Sequence, residues 1–285
     1  MTSIYGTIGY TFLQSQEESN QIFILVLSDE HSKLKYCDDF IQISEWLEKN
    51  IDNINILLEE VSREDFKLGE LWSASDHTIK LKKLFLNNQK KIFDIDIRPY
   101  LIPFSWEILH ENTDFENIKF KHYLKLLNKF VYIKLYEIKK KIYNIYNRKF
   151  LLKHKLKIHL KEIRKIFHNF LFTNIHLMNV SIYDVFKNNK DILFDLNLIL
   201  DTCMEWYCIA KIHDIQFYNN NKKQNYIIHT GLYHSERIVS ILQKIYNYKI
   251  IINDGINNIN DAEKTDYNGC ILLPDFISER LSMDK

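Results

Sequence analysis

The chain has an unbroken apolar stretch from Gln21 to Ser28 (QIFILVLS), and its length and continuity fit a central strand covered on both faces better than an alternating surface strand. Asp38 to Lys49 switches to a helical period, with Ile41, Ile43, Trp46 and Leu47 on its apolar side. Ile54 to Val61 (INILLEEV) reads as a second buried strand, and strand, helix, strand is the βαβ unit. A helix over Thr78 to Asn87 precedes a third strand, Lys91 to Arg98 (KIFDIDIR), which Pro99 and Pro103 end. From Asn117 to His176 there is neither Gly nor Pro, and Phe120, Leu124, Leu127, Val131 and Leu135 recur at helical spacing, predicting long helix broken once or twice. A further helix is expected over Ile192 to Ile212. Tyr226 to Thr230 (YIIHT) is a short strand reaching Gly231, a helix resumes at Ser235, and Tyr248 to Asn253 (YKIIIN) closes the series as a last strand.

This order predicts an α/β fold: an open, mostly parallel sheet flanked by helices, with a long helical insertion in the middle. Six glycines and three prolines are too few to mark an interdomain linker, so residues 1–285 are expected to form one domain carrying a helical insertion over 117–176.

Composition narrows the class. Apolar residues at 46% and charged residues at 26% exclude a disordered chain. Heavy use of Ile, Lys, Asn, Tyr and Phe is the bias that an A/T-rich genome imposes, as in a large DNA virus or an A/T-rich protist. No secretory leader opens the sequence, and nowhere do eighteen apolar residues follow one another, so the expected place is the cytoplasm, or a host's cytoplasm for a viral protein, with no transmembrane segment. Cys37, Cys203, Cys208 and Cys270 lack CxxC spacing and are expected to be reduced and structural.

In a parallel sheet, ligands bind beyond the carboxyl ends of the strands, where loops and helix N-termini converge. The polar residues at those ends are Ser28-Asp29-Glu30-His31, Glu59-Glu60, Asp94-x-Asp96-x-Arg98 and Gly231-Leu232-Tyr233-His234. Imidazole and carboxylate together are a ligand set for Zn²⁺ or a similar divalent ion, which would lower the pKa of a bound water. Without a metal, a histidine paired to a carboxylate would activate water as a general base.

These strand-end motifs resemble the superfamily that joins TIKI proteases, TraB, the erythromycin esterases and the haem-uptake protein ChaN. Its members have a first strand ending Gly-Glu-x-His, a second ending in Glu, and a later strand ending Gly-x-x-His before a helix. Here Ser28 and Asp29 stand for the Gly and Glu of the first motif, Glu59 or Glu60 for the second, and Gly231 to His234 matches the third in full. The resemblance implies hydrolysis of a peptide, ester or similar small-molecule bond. His31, Glu59 and His234 would be catalytic, and a Zn, Mn or Co ion would be held by His31, Glu59 or Glu60, and His234. Haem handling is a further implied role.

Adjacent strand residues point to opposite faces, so only one of Glu59 and Glu60 can face the crevice, and Glu59 is the expected one. Arg98, Asp96 and Gly231 are the expected substrate-binding residues, Arg98 through its planar fork, although Asp96 and Arg98 would equally suit an ion pair with each other. The amides at the start of the helix near Ser235 would favour an anion or a developing oxyanion. His229 reads as a satisfied core or surface histidine. From Lys119 to Phe170, sixteen Lys and Arg face two acids, Glu137 and Glu162, a local charge of +14 in a chain of net +1. That asymmetry, interleaved with Tyr and Phe, is the footprint of nucleic-acid or anionic-membrane binding, or of a protein partner's surface, in an inactive relative acting as a binding module, or else a solvated face or a basic surface docked on the acidic remainder of the same chain. His154, His159 and His168 lack the i, i+4 spacing of a helical metal pair.

Overall fold

A computed structural model of the chain describes residues 1–16, 21–30, 34–35, 37–52, 54–59, 76–98, 117–145, 150–218, 224–262 and 268–282. The chain divides into two compact units, Met1–Asp96 with Ile215–Lys285, and Ile97–Asp214.

The first unit is built on the expected apolar runs. The strands are β1 (Thr2–Tyr5), β2 (Gly9–Ser15), β3 (Phe23–Asp29), β4 (Ile41–Gln42), β5 (Asn55–Leu58), β6 (Ile92–Asp94), β7 (Tyr226–Gly231), β8 (Tyr248–Gly255) and β9 (Cys270–Leu273). Six of them form one sheet in the order β6-β5-β7-β3-β2-β8, and a smaller sheet has the order β4-β1-β9. β6, β5, β7 and β3 pair in parallel, while β2 runs antiparallel to both β3 and β8. β3, β5 and β7 are buried along their whole length, which is why apolar residues dominate them. The α/β class with a mostly parallel sheet therefore holds.

The helices α1 (Ile43–Asn50), α2 (Asp76–Asn87), α8 (Leu232–Lys244) and α10 (Asp275–Ser282) belong to this unit, with the one-turn α9 (Ile259–Ala262). Register assigns the sheet's faces. Leu27 pairs with His229, Asp29 with Gly231 and Leu58 with His229, so with a period of two these residues share one face. Leu25, Leu27, Ile56, Leu58 and Ile227 pack there with Ile43, Trp46 and Leu47 of α1 and Leu81 and Leu84 of α2. The opposite face carries Ser28, Thr230 and Glu59. There α8 docks, its Ser235 hydroxyl 2.8 Å from that of Ser28.

Several boundaries differ from those read in the sequence. α1 begins only at Ile43, because Ile41 and Gln42 pair with β1. β6 ends at Asp94, where the Asp94 carboxylate accepts from the Asp96 amide at 2.8 Å and turns the chain, so Asp96 and Arg98 are not strand residues. α8 starts at Leu232 rather than Ser235, which puts His234 inside its first turn. β1, β2 and β9 had no periodic signal long enough to name them. Cys37 and Cys270 form a disulfide, correcting the expectation of four reduced cysteines; they lie 233 positions apart, so no local spacing announces the pair. Cys203 and Cys208 are buried and take part in no disulfide.

The second unit is helical: α3 (Phe120–Lys129), a π-helical segment (Phe130–Lys134), α4 (Leu135–Ile145), α5 (Phe150–Thr173), α6 (Ile182–Asn188) and most of α7 (Lys190–Tyr218). The basic stretch 117–176 lies within it. Phe120, Leu124, Leu127, Val131 and Leu135 are all buried, and the wider π turn between the last pairs keeps them on one side. They share this unit's interior with Leu156, Leu160, Ile163 and Phe167 of α5 and Trp206 of α7. The Trp206 indole donates to Leu156 O at 3.4 Å. Ser181 caps α6, accepting from the Asp184 amide at 3.0 Å and donating to its carboxylate at 2.7 Å. Among the described residues no helix is long and apolar enough to cross a membrane.

Candidate active site

Sheet topology fixes where a site belongs. β3 and β5 lead through helices on the α1/α2 face toward β6, whereas β7 leads through α8 on the other face toward β8. This is what right-handed crossovers demand when chains leave in opposite directions. The direction reverses between β5 and β7, and in an open sheet of this kind a crevice opens beyond the strand ends at that switch point.

Glu59 follows β5 and His234 lies in the first turn of α8, one on each side of that switch. His234 Nε2 is 3.5 Å from Glu59 Oε1, and both side chains are almost wholly buried. The other carboxylate oxygen, Oε2, accepts the Gly231 amide at 2.8 Å. The amide at the helix N-cap therefore helps hold the Glu59 charge. One carboxylate is thus pinned by backbone on one side and turned to an imidazole on the other. Two residues 175 positions apart in sequence therefore come together with Gly231 beyond the neighbouring ends of β5 and β7.

A second carboxylate–imidazole pair occupies the opposite face of the sheet. His77 Nε2 donates to the Asp29 carboxylate, 3.0 and 2.9 Å from its two oxygens, and neither side chain is exposed. His229 Nε2 donates to Gly6 O at 3.0 Å and lies 4.0 Å from Asp29 Oδ2. Asp29 is the register partner of Gly231, so the two carboxylates flank the end of β7, one from each neighbouring strand.

The remaining expected residues divide as follows. His31 and Glu60 lie outside the described residues. Arg98 donates to Asp201 Oδ1 at 3.3 Å within the helical unit, and Asp96 belongs to the first unit. The sequence reading missed His77 entirely and took Asp29 only as a stand-in for Glu. The signal for Asp29 was its place at a strand end; His77 is separated from it by 47 residues and had none.

As for a metal, Glu59 and His234 are two suitable donors where a catalytic divalent ion takes three from protein. Among the described residues no group of three His, Cys, Asp or Glu side chains is set to hold one. The chemistry these residues support by themselves is acid–base work. Compared with models of known protein families, with curated proteins and with solved structures, the chain matches none.

Proposed function

We propose that the first unit is a hydrolase-type domain in which His234, paired with Glu59, activates water against a peptide or ester carbonyl. The observation that carries this reading is the 3.5 Å approach of His234 Nε2 to Glu59 Oε1 at the switch point of the sheet. His234 takes a proton from the attacking water and becomes imidazolium. Glu59, already fixed by the Gly231 amide, stabilises that charge in a buried setting where the attraction is stronger than in water. The imidazolium then returns the proton to the leaving group, so the pair ends as it began. A separation of 3.5 Å is long for a hydrogen bond, and catalytic pairs commonly tighten only once substrate is bound. In a metal-assisted version His31 would be the third donor beside Glu59 and His234, and the ion would lower the pKa of a bound water.

The test is hydrolysis of p-nitrophenyl esters and of a fluorogenic casein by the full chain. His234→Gln and Glu59→Gln should each lower turnover by about 10²- to 10⁴-fold, the usual worth of a positioned acid–base group, with the melting temperature held within a few degrees. Turnover that both variants leave untouched would sink the reading, as would inertness of the wild-type chain toward every probe.

A further inference from the structure

The helical unit carries a basic face that lies outside the acid–base pair. α3, the π segment and α4 present Lys125, Lys129, Lys134 and Lys140 to solvent, and α5 presents Lys157, Lys161 and Lys165 in a row of i, i+4 steps. Between these helices Lys139 is only 7% exposed. Burial, with the neighbouring charges of Arg164 and Lys157, lowers its pKa. Arg164 stacks over the Tyr132 ring at 4.9 Å and donates to Tyr132 O at 3.3 Å, and its Nε finds no partner among the described residues. Lys139 Nζ sits 4.8 Å over the Tyr136 ring. Both tyrosines remain part-open to solvent, at 39% and 46%.

Three cations held this close raise the local positive potential and draw an anion to this face. We propose that this face binds single-stranded nucleic acid, with Lys139, Lys157 and Arg164 meeting phosphates and Tyr132 and Tyr136 stacking on bases. Charge complementarity chooses a polyanion, and aromatic faces beside cations choose one with bases. The exposed aliphatics Leu126 and Ile133 are set among Lys125, Lys129 and Lys134, and do not form the continuous apolar face that an interfacial membrane helix needs.

The experiment measures fluorescence anisotropy of labelled dT20 with the full chain over a potassium chloride series. For three phosphate contacts at about 0.7 in log–log slope each, affinity should fall about 20-fold between 50 and 200 mM salt. The double variant Lys157→Gln, Arg164→Gln should reduce that slope by about 1.4, the share of two contacts. Tyr132→Leu with Tyr136→Leu should weaken binding and leave the slope unchanged, and far-ultraviolet circular dichroism should match wild type for both. Absence of binding at 50 mM salt overturns the proposal. So does binding that neither double variant alters, or binding to phosphatidylserine vesicles that dT20 fails to displace.

Discussion

His77 Nε2 and Asp29 Oδ2 lie 2.9 Å apart with neither side chain exposed, joining the first turn of α2 to the last residue of β3. A buried carboxylate is tolerated only with such a partner, and removing one member of a buried pair costs about 3–5 kcal/mol. His77→Ala should lower the urea midpoint accordingly, whereas the double change Asp29→Leu, His77→Leu should recover much of the loss. A single variant as stable as wild type would show that the contact carries no folding energy.

The metal-assisted version of the hydrolase reading makes its own forecast. Zn²⁺, Mn²⁺ or Co²⁺ at a hundredfold excess over its dissociation constant should stabilise the chain by about 2.7 kcal/mol, visible as a raised melting temperature. His31→Ala with His234→Ala should erase that rise without unfolding the protein. Identical melting curves with and without all three ions would leave the metal-free His/Glu route standing alone.

Gly6 is expected to resist every substitution. Its φ is +102°, and a Cβ there would come within 2.6 Å of Ile43 Cγ2 and 3.1 Å of His77 Cβ. Gly6→Ala should cost about 1–3 kcal/mol from backbone strain alone. Because Gly6 O accepts from His229, hydrogen exchange at the end of β7 should quicken as well. An unchanged exchange pattern would separate the turn from the site.

Lys139 should be a liability for folding in the absence of ligand. Its folded pKa is lowered from 10.5, so the unfolded chain binds that proton more readily and the penalty is present at neutral pH. It fades as pH rises toward the unfolded value. Lys139→Met should therefore raise the urea midpoint at pH 7, and the gap from wild type should narrow at pH 10. A gap independent of pH would assign the gain to packing instead.

What could be read in the sequence follows physical lines. β3 and β5 were legible because strands buried on both faces carry apolar runs, β7 through the short run Tyr226 to Ile228 before His229 and Thr230, and the helical stretch because its period survives a π turn. β2 was not, since GYTFLQS mixes classes and its place between β3 and β8 is decided by non-local pairing. Glu59 and His234 were legible through their strand-end positions. Asp29 with His77 required knowing that α2 packs under the end of β3, which no spacing along the chain encodes. Arg98 pairs through Nη1 with Asp201, 103 positions away, a contact that no spacing along the chain announces.

The Cys37–Cys270 bond encloses most of the polypeptide, the helical unit included, in a single covalent ring. One protease cut at any exposed lysine inside that ring opens it but releases nothing. A nicked molecule should therefore run on a denaturing gel as one full-length species without thiol, and part into two fragments once dithiothreitol is added.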